Sequence, residues 1–332
     1  MKILLVCMQH DYGQASRGHS YEYTNYYHSL VQMGHEVILF DYMAEMQQQG
    51  KAQMNANLLR RAEELKPAVA IFHLYTDQFE VSTIQALRAH TKTLSIFHDD
   101  TWRKEYAYFW APHFDFFTTP DYFSVRRYAA HGLKHVLLFS YGCNEKMYYR
   151  MNEPKIHDVS FVGRWHPYRQ WLVDKLAKAG VKVVAKGPGW SGGMVSHDEM
   201  VKLFNQSRIN LNISNSASWD ARYLCSSWRA LVDRIRSKKS VEQLKARHFE
   251  INGCGGFQLS YYVEGLERQY AISDEMDVYG SIDELVDKVK FYLENADQRE
   301  AMANAGYQRT LKDHSFSARF TKLFQEMGLK NG

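Results

Sequence analysis

Residues 2–42 read KILLVCMQHDYGQASRGHSYEYTNYYHSLVQMGHEVILFDY. A short apolar run, KILLVC, ends in a polar loop from Gln9 to Ser20. Tyr23, Tyr27, Leu30 and Val31 then share one face at a period of 3.6, which predicts a helix. Gly34 is placed to end that helix, and HEVILFDY supplies a second apolar run. The stretch is one strand–helix–strand unit. Its apolar strands alternate with amphipathic helices, as a parallel sheet covered on both faces requires.

The alternation continues outward. AVAIFHLY after Pro67, TLSIFHDD, FDFFTTP before Pro120 and HVLLFSYG read as further strands, with helical stretches at 55–65, 83–90 and 121–132 between them. MNEPKIHD at 151–158 is polar and reads as a linker. The pattern then restarts with VSFVG, VKVVAKG and INLNIS as strands, and a long polar and basic segment at 214–247 runs into FEINGCGG and FQLSYY. In the last long helix Ile282, Leu285, Val286, Val289 and Leu293 form an apolar stripe. The expected fold class is α/β, with two Rossmann-like αβα domains at 1–150 and 158–312 facing each other across a cleft. Ligands in such sheets bind beyond the carboxyl ends of the strands. That rule points to Gln9–Ser20, His73–Asp77, His98–Asp100 and Thr118–Asp121.

Composition narrows the class. The chain has 332 residues, 45% hydrophobic and 23% charged, which excludes global disorder and low complexity. Cys7, Cys143, Cys225 and Cys254 are widely spaced with no paired CxxC, so neither a disulfide framework nor a zinc knuckle is suggested, and reduced thiols in the cytoplasm are expected. MKILLVC reads directly as a strand, so no signal peptide is expected, and no apolar run approaches the roughly 18 residues of a spanning helix. A net charge of +4 permits an anionic partner without demanding one.

The chemistry concentrates in the second half. Glu242 and Glu250 are separated by seven residues, and INGCGG follows, with Cys254 and Gly255 four and five places after Glu250. This pattern, within LKARHFEINGCGGFQLSYYVEGLE at 244–267 and with QREAMANAGYQRTLKDHSFSARF at 298–320, resembles the GT-B nucleotide-sugar-dependent glycosyltransferases of the family 4-like group. It looks most like their branch named after the spore maturation protein CgeB. The resemblance covers essentially the whole chain and is strongest over 240–320. It implies a GT-B fold with the donor site in the C-terminal half and a last helix, within 313–332, that crosses back to the first domain. It also implies sugar transfer from a nucleotide sugar to an acceptor hydroxyl, with retention of configuration.

The resemblance assigns roles that the residue chemistry supports. A carboxylate holds a ribose diol by accepting two charge-assisted hydrogen bonds, and Glu250 takes that role. Glu242 would meet the donor sugar. The family's loop glycine is missing from QLKARHF, so Lys245 and Arg247 are expected to supply positive charge to the diphosphate instead. Arg164 and Arg169, after the strand VSFVG, match the family's pair of diphosphate-binding cations. Such fixed charge stabilises a departing nucleoside diphosphate, so neither a metal nor another cofactor is required; the co-substrate is a UDP- or GDP-linked sugar. Gly187 in AKGPGW sits where the family places the base, against an ordinary turn as the alternative. Glu267 in YVEGLE is expected to line the same site.

In the first half, His98 of SIFHDDTW matches a histidine that contacts donor sugar or acceptor. Asp99 or Asp100 is either a general base for the acceptor hydroxyl or an N-cap for the helix after it. Gly13 and Gly18 in the first loop allow close approach to a ligand, Gly13 near the donor and Gly18 near the acceptor; the alternative is an ordinary loop with Ser20 as N-cap. Glu22 is an acceptor contact. The acceptor itself is a glycan, a lipid-linked sugar or a protein. The basic, aromatic stretch 222–247, which includes Arg222, Trp228, Arg234, Lys238 and Lys239, leaves DNA as an alternative acceptor. A nucleotide-sugar-binding or epimerase-type protein without transfer is the remaining alternative.

Overall fold

A computed structural model describes residues 1–213, 218–237 and 242–329. The chain divides into two units. Unit 1 is Met1–Asn144 together with the chain from Ser315 onward, and unit 2 is Glu145–His314.

In unit 1 the strands are β1 (Lys2–Cys7), β2 (Glu36–Asp41), β3 (Val69–Phe72), β4 (Lys92–Ser95), β5 (Phe116–Thr119) and β6 (Val136–Leu138). They form one sheet in the order β2-β1-β3-β4-β5-β6, and every pairing is parallel. Side chains alternate across a strand, and β1 shows the consequence. Ile3, Leu5 and Cys7 enter one core, and Leu4 and Val6 enter another on the opposite face. The helix Phe316–Glu326 places Phe316, Phe320, Leu323 and Phe324 in the first of these cores, against Ile3, Leu5 and Ile71. Each such side chain contributes roughly 2 kcal/mol of burial, which is enough to hold the end of the chain to unit 1.

The first helix departs from its expected face. Tyr23–Tyr27 forms a π-turn before the α-helix His28–Gln32. The wider turn rotates the residues that follow. Tyr26 and Leu30 are therefore fully buried and Val31 is exposed, whereas a plain 3.6 period puts Val31 on the inner face.

Unit 2 holds β7 (His157–Val162), β8 (Val183–Lys186), β9 (Ser207–Asn212), β10 (Gln258–Tyr261) and β11 (Asp277–Tyr279). Their order is β11-β10-β9-β7-β8, again all parallel. The polar stretch at 151–158 belongs to this unit. Met151 N–H donates to Asn205 Oδ1 at 2.7 Å and Ile156 N–H to the Gln206 carbonyl at 2.9 Å. The boundary falls at Asn144, earlier than the polar composition suggests.

Both sheets are doubly wound and share one topology. The chain runs to one side of the first strand, then returns to build outward from its other side. The strand order thus reverses between β1 and β3 in unit 1 and between β7 and β9 in unit 2, and such switch points are where open α/β sheets take ligands.

Candidate functional site

At the switch point of unit 2, Arg169 ties the two strand ends together. It lies early in the helix Pro167–Lys178. Its Nε and Nη2 donate to the Ile213 carbonyl beyond β9, at 3.1 and 2.8 Å, and its Nη1 donates to the Arg164 carbonyl beyond β7 at 2.7 Å. Burial brings its pKa down to about 10, with the hydroxyls of Tyr261 and Tyr279 acting in the opposite sense, so it stays a cation at neutral pH. Arg164 itself has an exposed side chain.

Gly163 closes β7, and the turn after β8 docks onto it. Gly187 has φ +122°, and a Cβ there would lie 2.5 Å from the Gly163 carbonyl oxygen. Trp165 N–H donates to the Pro188 carbonyl (2.7 Å) and Trp190 Nε1 to the Gly163 carbonyl (2.9 Å). The glycine in AKGPGW is therefore demanded by backbone-to-backbone packing, independently of any ligand.

Glu250 sits in the short helix Arg247–Gly253 and is only 4% exposed. The Tyr148 hydroxyl donates to its Oε1 at 2.7 Å, and Arg247 Nη1 donates to its Oε2 at 2.5 Å. Arg247 thus meets Glu250 through one of its five N–H donors. A carboxylate has about four lone-pair sites, so these two bonds fix its orientation without exhausting it. Burial and the neighbouring Glu250 charge hold the Tyr148 hydroxyl well above the usual tyrosine range, so it remains a donor. Tyr148 escapes sequence reasoning because it lies 102 residues away, in a stretch with no periodic signal.

Glu242 is half-buried and electrostatically close to Tyr168, Arg169, Tyr261 and Tyr279. Arg169 in turn feels Arg247, so Arg169, Glu242, Arg247 and Glu250 form one neighbourhood beyond the carboxyl ends of the sheet. Lys245 N–H meets His248 Nδ1 at 3.0 Å, and burial lowers the His248 pKa to about 4. Glu267 is exposed and accepts a hydrogen bond from the Tyr262 hydroxyl at 3.3 Å.

Unit 1 carries a second cluster at its own switch point. A cavity of about 200 Å³ is lined by Tyr21, Glu22, His73, His98, Asp99 and Tyr141, among others. Glu22 Oε1 lies 3.1 Å from His73 Nδ1. The Tyr26 hydroxyl and His98 Nδ1 are 3.2 Å apart, and the His98 ring stacks on Tyr141 at 4.1 Å. The cavity is below the roughly 300 Å³ at the lower end of small-molecule sites, so it suits one end of a ligand. His73, at the end of β3, lines this cavity, and the sequence flagged it only as part of a polar strand end.

The two aspartates after His98 separate. Asp99 lines the cavity, and its Oδ1 accepts from Trp102 Nε1 at 3.0 Å. The turn at 100–102 carries Asp100 elsewhere: it is 4% exposed and accepts from the Tyr128 hydroxyl at 3.2 Å. Its pKa is pushed up to about 6, chiefly by burial. Asp100 is thus not among the residues lining that cavity. Neither aspartate side chain caps the next helix, Lys104–Trp110, whose N-cap is Arg103.

Gly13 has φ +71°, and a Cβ there would lie 2.4 Å from Met43 Cγ, so its open space is filled by the protein itself. Gly18 is exposed at a turn with φ +82°. Ser20 does cap, accepting from Tyr23 N–H at 3.0 Å.

Residues 169–325 match the family described as Glycosyl transferase-like. The match covers just under half of the chain, and the two parallel-sheet units are those of a GT-B fold. The fold recurs in sucrose-phosphate synthase from Thermosynechococcus elongatus, with TM-score 0.65, 11% identity and 99% of each chain covered. It recurs in Anabaena HepE, solved in complex with UDP, with TM-score 0.61, 10% identity, and 99% of this chain and 100% of that one covered. A glycosyltransferase from Rickettsia africae matches with TM-score 0.63 and 12% identity, covering 98% and 97% of the two chains. No curated protein sequence matches this chain. Among its described residues there is no cluster of metal-ligating side chains and no helix long and apolar enough to cross a membrane.

Proposed function

We propose that this transferase moves a sugar from a nucleoside-diphosphate sugar to an acceptor hydroxyl, with the donor on unit 2. The observation that carries this reading is Glu250, a buried carboxylate beyond the sheet, oriented by Tyr148 and Arg247 beside the switch-point cation Arg169. Glu250 holds the ribose diol. Arg169 and Arg164 face the diphosphate, with Lys245 contributing charge from the other side of the site. They stabilise the charge that develops as the phosphate leaves. Glu242 contacts the transferred sugar, the turn at Gly187 meets the base, and Glu267 borders the site. UDP is the first carrier to test, because HepE is solved with UDP and with UDP-glucose.

The cavity of unit 1 takes the acceptor. Glu22, His73 and His98 present two imidazoles and a carboxylate to a hydroxyl group, and Tyr141 offers an aromatic face for a sugar ring. Transfer with retention, in which the departing phosphate itself receives the acceptor proton, follows from the resemblance to the CgeB-like branch. The acceptor is a glycan, a lipid-linked sugar or a protein. DNA is the weaker alternative, because Arg222 is bound by Asp220 and Asp283 and Arg247 by Glu250.

A thermal-shift panel of UDP, GDP, ADP and CMP tests the donor reading. The matching nucleotide at about 100 times its Kd adds roughly 2.7 kcal/mol. Donor hydrolysis without acceptor, present in the wild type and lost in Glu250→Ala, separates a transferase from a pure binder. Stabilisation by none of the four nucleotides would overturn the assignment.

A further inference from the structure

The helix Trp228–Arg236 is amphipathic in the reverse of the usual sense. A surface helix normally turns its apolar stripe inward. Here Ala230 is the fully buried residue, and the apolar face opposite it points to solvent. Trp228 is 72% exposed, Leu231 48% and Ile235 74%, and Trp219 just before it in the chain is 73% exposed. At 100° per residue Trp228, Leu231, Val232 and Ile235 fall within one arc of about 100°. Arg229 and Arg236 flank that arc on one side and Arg234 on the other. The Arg234 guanidinium lies 3.7 Å from the centre of the Trp219 ring.

The acids nearby are engaged elsewhere. Asp233 meets the Tyr223 hydroxyl at 3.3 Å and His166 Nε2 at 3.5 Å, and Asp220 is held by Arg222. A cavity of about 550 Å³ opens beside the helix, where Lys175, Lys178, Arg222 and Arg229 outnumber the acid Asp174 in a lining that includes Trp165 and Trp171. Lys238 and Lys239, outside the described residues, follow directly in the sequence. The combination is an outward apolar ridge with an aromatic end, bordered by cations and next to a basic pocket.

We propose that this face docks on an anionic lipid surface. The apolar ridge enters the boundary between headgroups and acyl chains, and the flanking arginines meet lipid phosphates while their stems lie along the ridge. The charge complementarity selects this occupant: each basic residue near an anionic leaflet adds attraction. Nucleic-acid phosphates would reward the arginines but leave Leu231 and Ile235 in water. The inference stands apart from the donor reading; a transferase held at a bilayer would meet lipid-linked acceptors there.

Vesicle flotation of the full chain tests it, with phosphatidylcholine alone compared with phosphatidylcholine plus phosphatidylglycerol. Binding to the anionic vesicles should exceed binding to the neutral ones by about tenfold or more and should weaken as salt is raised. The triple variant Trp228→Ser, Leu231→Gln, Ile235→Gln alters exposed positions and should keep the wild-type unfolding temperature while losing the vesicle-bound fraction. Arg229→Gln with Arg236→Gln should lower binding only to the anionic vesicles. No binding to anionic vesicles at low salt overturns the proposal, as does binding undiminished in the triple variant. A dimer that the triple variant dissolves, or a duplex-DNA complex that anionic vesicles fail to compete away, would assign the face to another occupant and equally overturn it.

Discussion

Glu250 and Asp100 are both buried carboxylates that accept from a tyrosine hydroxyl, and they differ by one cation. Glu250 has Tyr148 on one oxygen and Arg247 on the other. Asp100 has Tyr128, and burial without a guanidinium pushes its pKa up to about 6. The contrast separates a buried carboxylate with a guanidinium partner from one without. Maintaining a buried charge requires a paired, hydrogen-bonded partner, and unit 2 provides that beside the strand ends where a donor is expected. The Asp100 carboxyl in unit 1 ionises only at the cost of its burial, with a pKa pushed up to about 6.

Removing Glu250 should have the largest effect. Glu250→Ala strands Arg247 and the Tyr148 hydroxyl, and breaking such a buried pair costs about 3–5 kcal/mol. Denaturant unfolding measures that loss, and nucleotide-induced stabilisation should disappear with it. Glu250→Gln keeps an acceptor for Tyr148, so it should retain more stability yet still lose nucleotide binding. Equal behaviour of the two variants in binding, with unequal stability, would separate the ligand role from the packing role.

Asp100 should respond in the opposite direction. Its native pKa of about 6 lies above the ordinary value of 3.8, so between those pH values the native state binds more protons than the unfolded chain. Stability is therefore lost as pH rises through that window, and the full loss applies above about pH 6. Asp100→Asn removes the titration. It should stabilise the protein at pH 7.5 by on the order of 2–3 kcal/mol, with the gain vanishing below about pH 4. Thermal unfolding across that range checks it; a destabilised variant at pH 7.5 would mean that the carboxylate is paired in the way Glu250 is.

A smaller effect is expected at Glu22. Glu22→Gln leaves a neutral group 3.1 Å from His73 Nδ1. Transfer to acceptor should fall by about tenfold, less than the roughly 10²–10⁴-fold of a lost general acid or base, because the amide still offers His73 a hydrogen-bond partner. Donor hydrolysis and nucleotide binding should stay unchanged, because Glu22 belongs to unit 1. Loss of nucleotide binding in this variant would erase the division of labour between the two units.

Both sheets were legible in the sequence because each strand is a short apolar run punctuated by glycine, proline or polar residues. The strand-end rule also drew attention to His73 and His98, and the family resemblance to Arg169. What escaped has local causes. The π-turn at Tyr23–Tyr27 inserts a residue that periodicity cannot reveal, and it moves Val31 outward. The segment after 150 looks like a linker by composition, yet Asn205 and Gln206 bind its amides into unit 2. Gly13 and Gly187 signal close approach in sequence, but the sequence does not say to what; the partners are Met43 and Gly163. The pairing of Arg247 with Glu250 at three residues' spacing was within reach of the helical period, whereas Tyr148 was not.

The most direct test of the donor site is a crystal structure of the protein with UDP. The ribose diol should lie within hydrogen-bond distance, about 3 Å, of the Glu250 carboxylate, with the diphosphate turned toward Arg169. A nucleotide bound elsewhere, leaving Glu250 in contact with Tyr148 and Arg247 alone, would contradict the account.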